Sequence, residues 1–200
     1  MSSRAFADSA TPEARARRRE IDDPELMDSL AAGDLGALGV LYDRYHETVR
    51  QFLRRAAPAP AEVEDLVQET FLALPQAAAS YDGRPRACPF LIGIAAHLVR
   101  RRRRFHARWT ELLREVEELC ADVVSTPEDK LQCVEELAGI DAALARLSEG
   151  KRLVYLMVER ESMTGEEVAA ALGIPVGTVW TRLHHARAAL SRSLARRGKR

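Results

Sequence analysis

The apolar residues Leu38, Leu41, Tyr42, Tyr45, Val49, Phe52 and Leu53 recur every three or four positions, and that spacing suits one regular structure only. A strand would throw alternate members to opposite faces, whereas a helix, stepping ~100° per residue, gathers them on one side. The same spacing returns elsewhere. Leu26, Met27 and Leu30 follow a Pro24 that suits a first helical turn, and Gly33 and Asp34 break that helix. Pro58 and Pro60 stop the long helix, since proline lacks the amide hydrogen that helix continuation needs.

A third helix is expected over residues 61–74, with Val63, Leu66, Val67, Thr70 and Leu74 inward and Phe71 at the flank. Its opposite face carries Asp65, Gln68, Glu69 and Leu72. A turn-rich stretch, 80–89, precedes an apolar segment, 90–99, that runs straight into Arg100, Arg101, Arg102, Arg103 and Arg104. Further on, Leu137, Ile140, Leu144 and Leu147 form one stripe, and Leu153, Leu156 and Met157 another. Ala, Leu, Arg and Glu outweigh Val, Ile and the aromatics, which favours helix throughout. The expected fold is all-α: two small helical modules, 23–106 and 135–197, a tail at 1–22, and an acidic linker at 107–134. The linker is read as partly helical through Leu112, Leu113, Val116 and Leu119, with a break at Ser125, Thr126 and Pro127.

A net charge of zero hides a segregation along the chain. Residues 84–108 hold eight arginines and no acid; residues 111–136 hold nine acids against Arg114 and Lys130; residues 176–200 hold seven basic residues and again no acid. Two basic blocks around an acidic one suggest two places to meet phosphates, joined by a segment that phosphates repel. Solvated helix faces are the alternative. Five successive arginines fan around a helix and cannot all face a core, and Phe105 and Trp109 beyond them suit stacking on exposed bases.

The sharpest local signal comes late. Thr164 with Glu167 reads as a capping box opening a helix, Val168, Ala169 and Leu172 give it an inner side, and Gly173, Ile174 and Pro175 turn the chain. A second helix from Val176 then repeats Val176, Val179, Leu183, Ala186, Leu190 and Leu194 on one face, with Thr178, Thr181, His185 and Arg192 opposite. Such a pair is a helix-turn-helix, and Gly177, Thr178, Thr181, Arg182 and Arg187 give its second helix the small, hydroxylic and cationic side chains that groove contact needs. An αα-hairpin packed in a larger helical domain would share the pattern. The Asp65, Gln68, Glu69, Leu72 face differs: a charged rim around one outward leucine suits docking on a protein.

Catalysis finds no support. There is no glycine-rich phosphate loop, no metal-type cluster and no recognisable nucleophile setting, so no enzyme, cofactor or metal is expected. Asp65 and Glu69 are read as solvated helix charges. Cys88, Cys120 and Cys133 sit in no paired spacing, which argues against a disulfide framework. No apolar run approaches ~20 residues, so a cytoplasmic protein without membrane insertion is expected.

Residues 64–72, Glu-Asp-Leu-Val-Gln-Glu-Thr-Phe-Leu, resemble the "EDLVQETFL" helix of extracytoplasmic-function sigma factors, bacterial RNA polymerase subunits. Glu166, Glu167, Val168 and Ala169, then Leu172 through Val179, and Arg182, Leu183 and His184 resemble their C-terminal "EEIAEALGIPVGTV…RLH" helix-turn-helix. The similarity spans about residues 23–194. It implies a sigma region 2 module and a region 4 module. Asp65, Gln68, Glu69 and Leu72 would dock on the clamp helices of the largest polymerase subunit. His97 with Arg100, Arg101, Arg102, Arg103 and Arg104, and the preceding loop, would handle the minus 10 promoter element. Val176, Gly177, Thr178, Trp180, Thr181, Arg182, His185 and Arg187 would meet the minus 35 element in the major groove. Core polymerase and promoter DNA are the implied partners, with an anti-sigma factor as a candidate third. The chain departs from the usual segment, "WLyrIArNlalDylRR", with Phe90 for Trp, His97 for Asn and Arg101 for Asp, and Trp180 stands where Lys is frequent. Two other readings remain at this point: a free-standing helix-turn-helix regulator, and a decoy that occupies polymerase without opening DNA.

Overall fold

A computed structural model of the chain describes residues 21–119 and 140–197, with side chains over 21–110 and 141–193. The expected tail before residue 21, the break at Ser125, Thr126 and Pro127, and the positions Cys120, Cys133 and Leu137 lie outside the described residues, as do the side chains of Leu112, Leu113, Val116, Leu119 and Leu194. All regular structure among the described residues is helical.

Helix α1 (Asp23–Ala31) starts where the Asp22 carboxylate accepts the Glu25 amide at 3.0 Å. Gly33, at φ +97°, turns the chain into α2 (Leu35–Ala56), whose first turn is capped by Asp34. A 3₁₀ turn (Pro60–Glu62) leads into α3 (Val63–Ala77). That helix outruns its expected end at Leu74 despite Pro75 in its last turn, and a second 3₁₀ turn (Ala78–Ser80) continues the spiral. Val63, Leu66, Val67, Thr70, Phe71 and Leu74 are buried against α2 and α4, as the periodicity requires. Thr70 satisfies its hydroxyl by donating to the Leu66 carbonyl at 2.7 Å.

Helix α4 (Cys88–Leu119) is a single element of 32 residues. The first module was expected to end near residue 106, and no helix break marks that point; the expected short linker helix is the continuation of α4. In the second module, α5 (Ile140–Ala145) and α6 (Glu149–Tyr155) lead into a π-helical turn (Leu156–Arg160), then α7 (Gly165–Leu172) and α8 (Val176–Arg197). The α7 capping box is complete, with Thr164 and Glu167 satisfying each other's backbone amides, and Gly173 at φ +62° makes the left-handed exit.

Two expected core positions are corrected. Tyr42 is 40% exposed, because it lies at the edge of the α2–α3 contact, where its ring meets the flank residue Phe71 edge-on and stacks on His46. Val176 is 37% exposed, since it is the first residue of α8, directly after the turn. The two modules also share one contiguous apolar cluster: α7 packs along α4, and α2 touches α5, α6 and the π turn.

Candidate nucleic-acid and protein interfaces

The outer face of α3 follows from its inner one. With the inward residues sealed, Asp65 and Gln68 stand in solvent, and Leu72 is 65% exposed. Glu69 is different, because Arg101 lies 3.2 Å away and Arg102 makes a short ion pair with it. Arg102 also approaches Glu62, whose carboxylate takes the His106 ring at 2.8 Å. Pairs this close to solvent are each worth ~0.2–1 kcal/mol, so their main effect is to fix where the arginines point.

The arginine run fans around α4 as the ~100° step demands. Arg101 and Arg104 are exposed, and His97, three residues before the run, is exposed too. Arg100 turns toward the second module and donates to the Leu172 carbonyl at 2.6 Å, while Arg103 faces Glu149 at 3.8 Å. The run therefore divides into outward cations and cations held by carboxylates or a helix end, which sequence spacing alone does not reveal. Beyond it, Phe105 and Trp109 stack nearly parallel, 62% and 54% exposed. Two apolar rings open to solvent beside cations can accept unstacked bases.

The loop before α4 is held from beneath by a residue that sequence reasoning missed. Asp23 is 3% exposed and accepts from Arg44, from the Tyr45 hydroxyl and, at 2.7 Å, from the Ala87 amide. Burial, with the hydrogen bond to Asp23, pushes the Tyr45 phenol well above its ordinary range. Burial and the Asp23 charge likewise lift Tyr81 to about 12, so both tyrosines stay protonated. Tyr81 donates to the Arg84 carbonyl and packs edge-on to Phe90. The only advance signal for Asp23 was its place beside Pro24 in a first helical turn.

On α8, Val179, Leu183, Ala186 and Leu190 are buried, while Gly177, Trp180, Thr181, His184, His185, Arg187 and Arg192 are exposed and Thr178 partly so. Arg182 is half-buried against Gly150, where an added Cβ would lie 2.9 Å from its Nη1. Arg187 pairs with Glu159 of the π turn. Trp180 lies across the first turn of α7: a Cβ at Gly165 would meet its ring at 2.6 Å, so only glycine admits the indole there. Among the described residues no group of three or more His, Cys, Asp or Glu could hold a metal, and no helix is long and apolar enough to cross a membrane. Cys88 is buried and free, and burial raises its thiol to about 11.

Comparison with known proteins decides what these surfaces belong to. The family model for sigma-70 region 2 matches residues 41–109, and that for sigma-70 region 4 matches residues 137–190. The RNA polymerase sigma factor NccH of Alcaligenes xylosoxydans xylosoxydans is 32% identical over 177 residues, covering 84% of this chain and 95% of that protein. The ECF RNA polymerase sigma-E factor of Escherichia coli (strain K12) is 28% identical over 180 residues, covering 86% and 93%. This chain belongs to the extracytoplasmic-function (ECF) sigma factors of the sigma-70 family.

Solved structures agree with that membership. CnrH, solved with the cytosolic domain of CnrY, superposes with a TM-score of 0.61 at 28% identity over 86% of this chain and 97% of its own. The sigma factor RpoE of Bartonella quintana, solved with the anti-sigma factor NepR, shares the fold at a TM-score of 0.56 and 21% identity, over 78% and 94%. As an ECF sigma factor the protein is a non-enzymatic initiation factor that binds core RNA polymerase and directs transcription from promoters. Family membership settles the three sequence readings in favour of the first.

Proposed function

We propose a division of labour among the surfaces of this sigma factor. The α3 face of Asp65, Gln68, Glu69 and Leu72 docks on the clamp helices of the largest polymerase subunit. His97 and residues 100–104, with the 81–89 loop, engage the minus 10 element as it opens. Val176, Gly177, Thr178, Trp180, Thr181, Arg182, His185 and Arg187 meet the minus 35 element. The first module spans 23–106 and the second 135–197, joined by the linker 107–134. The protein acts in the cytoplasm, and an anti-sigma factor is its third partner, a reading supported by the anti-sigma factor NepR bound to RpoE, which shares this fold.

One observation carries the docking assignment: Leu72 is 65% exposed on a helix whose other face is fully committed to the core. A lone apolar anchor within a polar rim is the arrangement that concentrates binding energy at protein interfaces. Replacing Gln68 and Leu72 together by alanine should cost about 2 kcal/mol of binding to core polymerase, roughly thirtyfold in Kd, with the melting temperature unchanged. Unchanged affinity in a reconstituted holoenzyme assay would overturn the assignment.

A further inference from the structure

We propose that Trp180 makes the minus 35 contact of this chain thymine-selective, its indole serving as the apolar surface that takes the C5-methyl group of a thymine. The inference rests on the assignment of α8 to the minus 35 element. Gly177, Trp180, Thr181 and His184 fall at i, i+3, i+4 and i+7, so they share one face of α8, and all four are exposed. The nearby arginines are engaged elsewhere: Arg182 is half-buried with its guanidinium against Gly150, and Arg187 pairs with Glu159 of the π turn. Thr181 donates its hydroxyl proton to the Gly177 carbonyl at 2.9 Å, which leaves it an acceptor and a methyl group to offer outward. A face without a guanidinium cannot make the bidentate donation to O6 and N7 by which arginine reads guanine.

The indole is the largest group on that face, and the fold holds it in place. Trp180 is 51% exposed, yet one edge of its ring rests on Gly165, the buried first residue of α7. An added Cβ there would lie 2.6 Å from Cζ2 and 3.0 Å from Cε2, so any side chain at that position would swing the ring away. A ring already seated loses less freedom when DNA arrives, which lowers the cost of using it as a contact. At Gly177, by contrast, a Cβ would meet nothing within 4 Å, so the protein leaves the space one turn before the indole empty. Among the groups that base pairs present in the major groove, the thymine C5-methyl is the apolar one. A seated ring therefore gains by covering that methyl, and at any other base it covers donors and acceptors without pairing them.

The test uses the full chain in a holoenzyme reconstituted with core RNA polymerase, and a duplex pool randomised across both promoter elements. Sequencing of the bound fraction should show, in the upstream element, a thymine that the unaltered chain enriches and Trp180→Arg does not. In the enriched duplex, deoxyuridine in place of that thymidine removes the C5-methyl group alone. Binding by the unaltered holoenzyme should then fall about fourfold, the worth of one buried methyl group, while the Trp180→Arg holoenzyme should bind both duplexes equally. Gly165→Ala should abolish the same deoxyuridine penalty with no loss of melting temperature, because alanine suits a helix better than glycine and only the seat of the ring is altered. Failure to enrich a thymine that depends on Trp180, or an equal deoxyuridine penalty in all three chains, overturns the thymine reading. Thr181→Glu tests the underlying assignment separately by placing a carboxylate on the same face: undiminished binding of the enriched duplex would remove α8 from the minus 35 element altogether.

Discussion

Helices α3 and α4 lie side by side in one module, yet the residues proposed for polymerase docking and for DNA contact stand in opposite states. The outer face of α3 is ready as folded: Asp65 and Gln68 are solvated and Leu72 is bare. The arginines of α4 are largely engaged, Arg101 and Arg102 by Glu69, Arg100 by Leu172 and Arg103 by Glu149. A surface for a protein partner can stand preformed, because a single exposed leucine costs little in water. A dense row of cations is stabilised by acceptors close by, and this fold supplies them from its own carboxylates and, for Arg100, from a helix-end carbonyl.

The largest effect expected within α3 separates its two faces. Leu66→Ala, at a position with no exposure, should cost about 2–5 kcal/mol of stability by chemical denaturation, whereas Leu72→Ala should stay within about 0.5 kcal/mol. Equal costs would mean that the two faces are not distinct. Along α4 the contrast should be smaller. Arg102→Ala strips a counter-charge from Glu69 and from the partly buried Glu62 and should destabilise by about 1 kcal/mol; Arg104→Ala, at an exposed position, should fall within about 0.5 kcal/mol. If both behave alike, the division of the run is wrong.

The smallest effect is a pH dependence at the cross-module contact. Burial opposes the charge of Glu167, but the Thr164 hydrogen bonds and Arg84 outweigh it and hold the carboxyl below the usual glutamate range. Burial likewise works against Arg84, and its bonds to Asp82 and Glu167 still raise its pKa. A carboxyl held low in the folded state contributes stability above its unfolded value, near pH 4.3, and that contribution disappears as pH falls through the folded value. Thermal melts of Glu167→Gln should therefore lose less stability than the unaltered chain on acidification below about pH 4.3. Parallel acid losses would remove Glu167 from the contact.

Much of this was legible beforehand where the rule was local. The α7 capping box, the Gly173 exit, the α2 stop before Pro58 and the two faces of α3 depend on residues within four or five positions of one another, and the chain wrote them plainly. Tyr42 and Val176 were assigned inward by the same period and stand exposed, because a period defines an angle around one helix and not how far a neighbour extends along it. Asp23 escaped notice for a related reason: Ala87 lies 64 positions away, and nothing in a first-turn aspartate announces that partner.

Periodicity, caps and charge blocks by themselves determined an all-helical chain with a two-faced α3, an arginine run and a helix-turn-helix, since each is a short-range property of the backbone and its nearest side chains; the region 2 assignment came from the resemblance of residues 64–72 to a family helix. Tertiary structure alone decided which arginine faces which acceptor, and that the two modules share a core. A ~100° step sends adjacent arginines in different directions, and only the packing of α7 on α4, across 72 positions from Arg100 to Leu172, determines what each one meets.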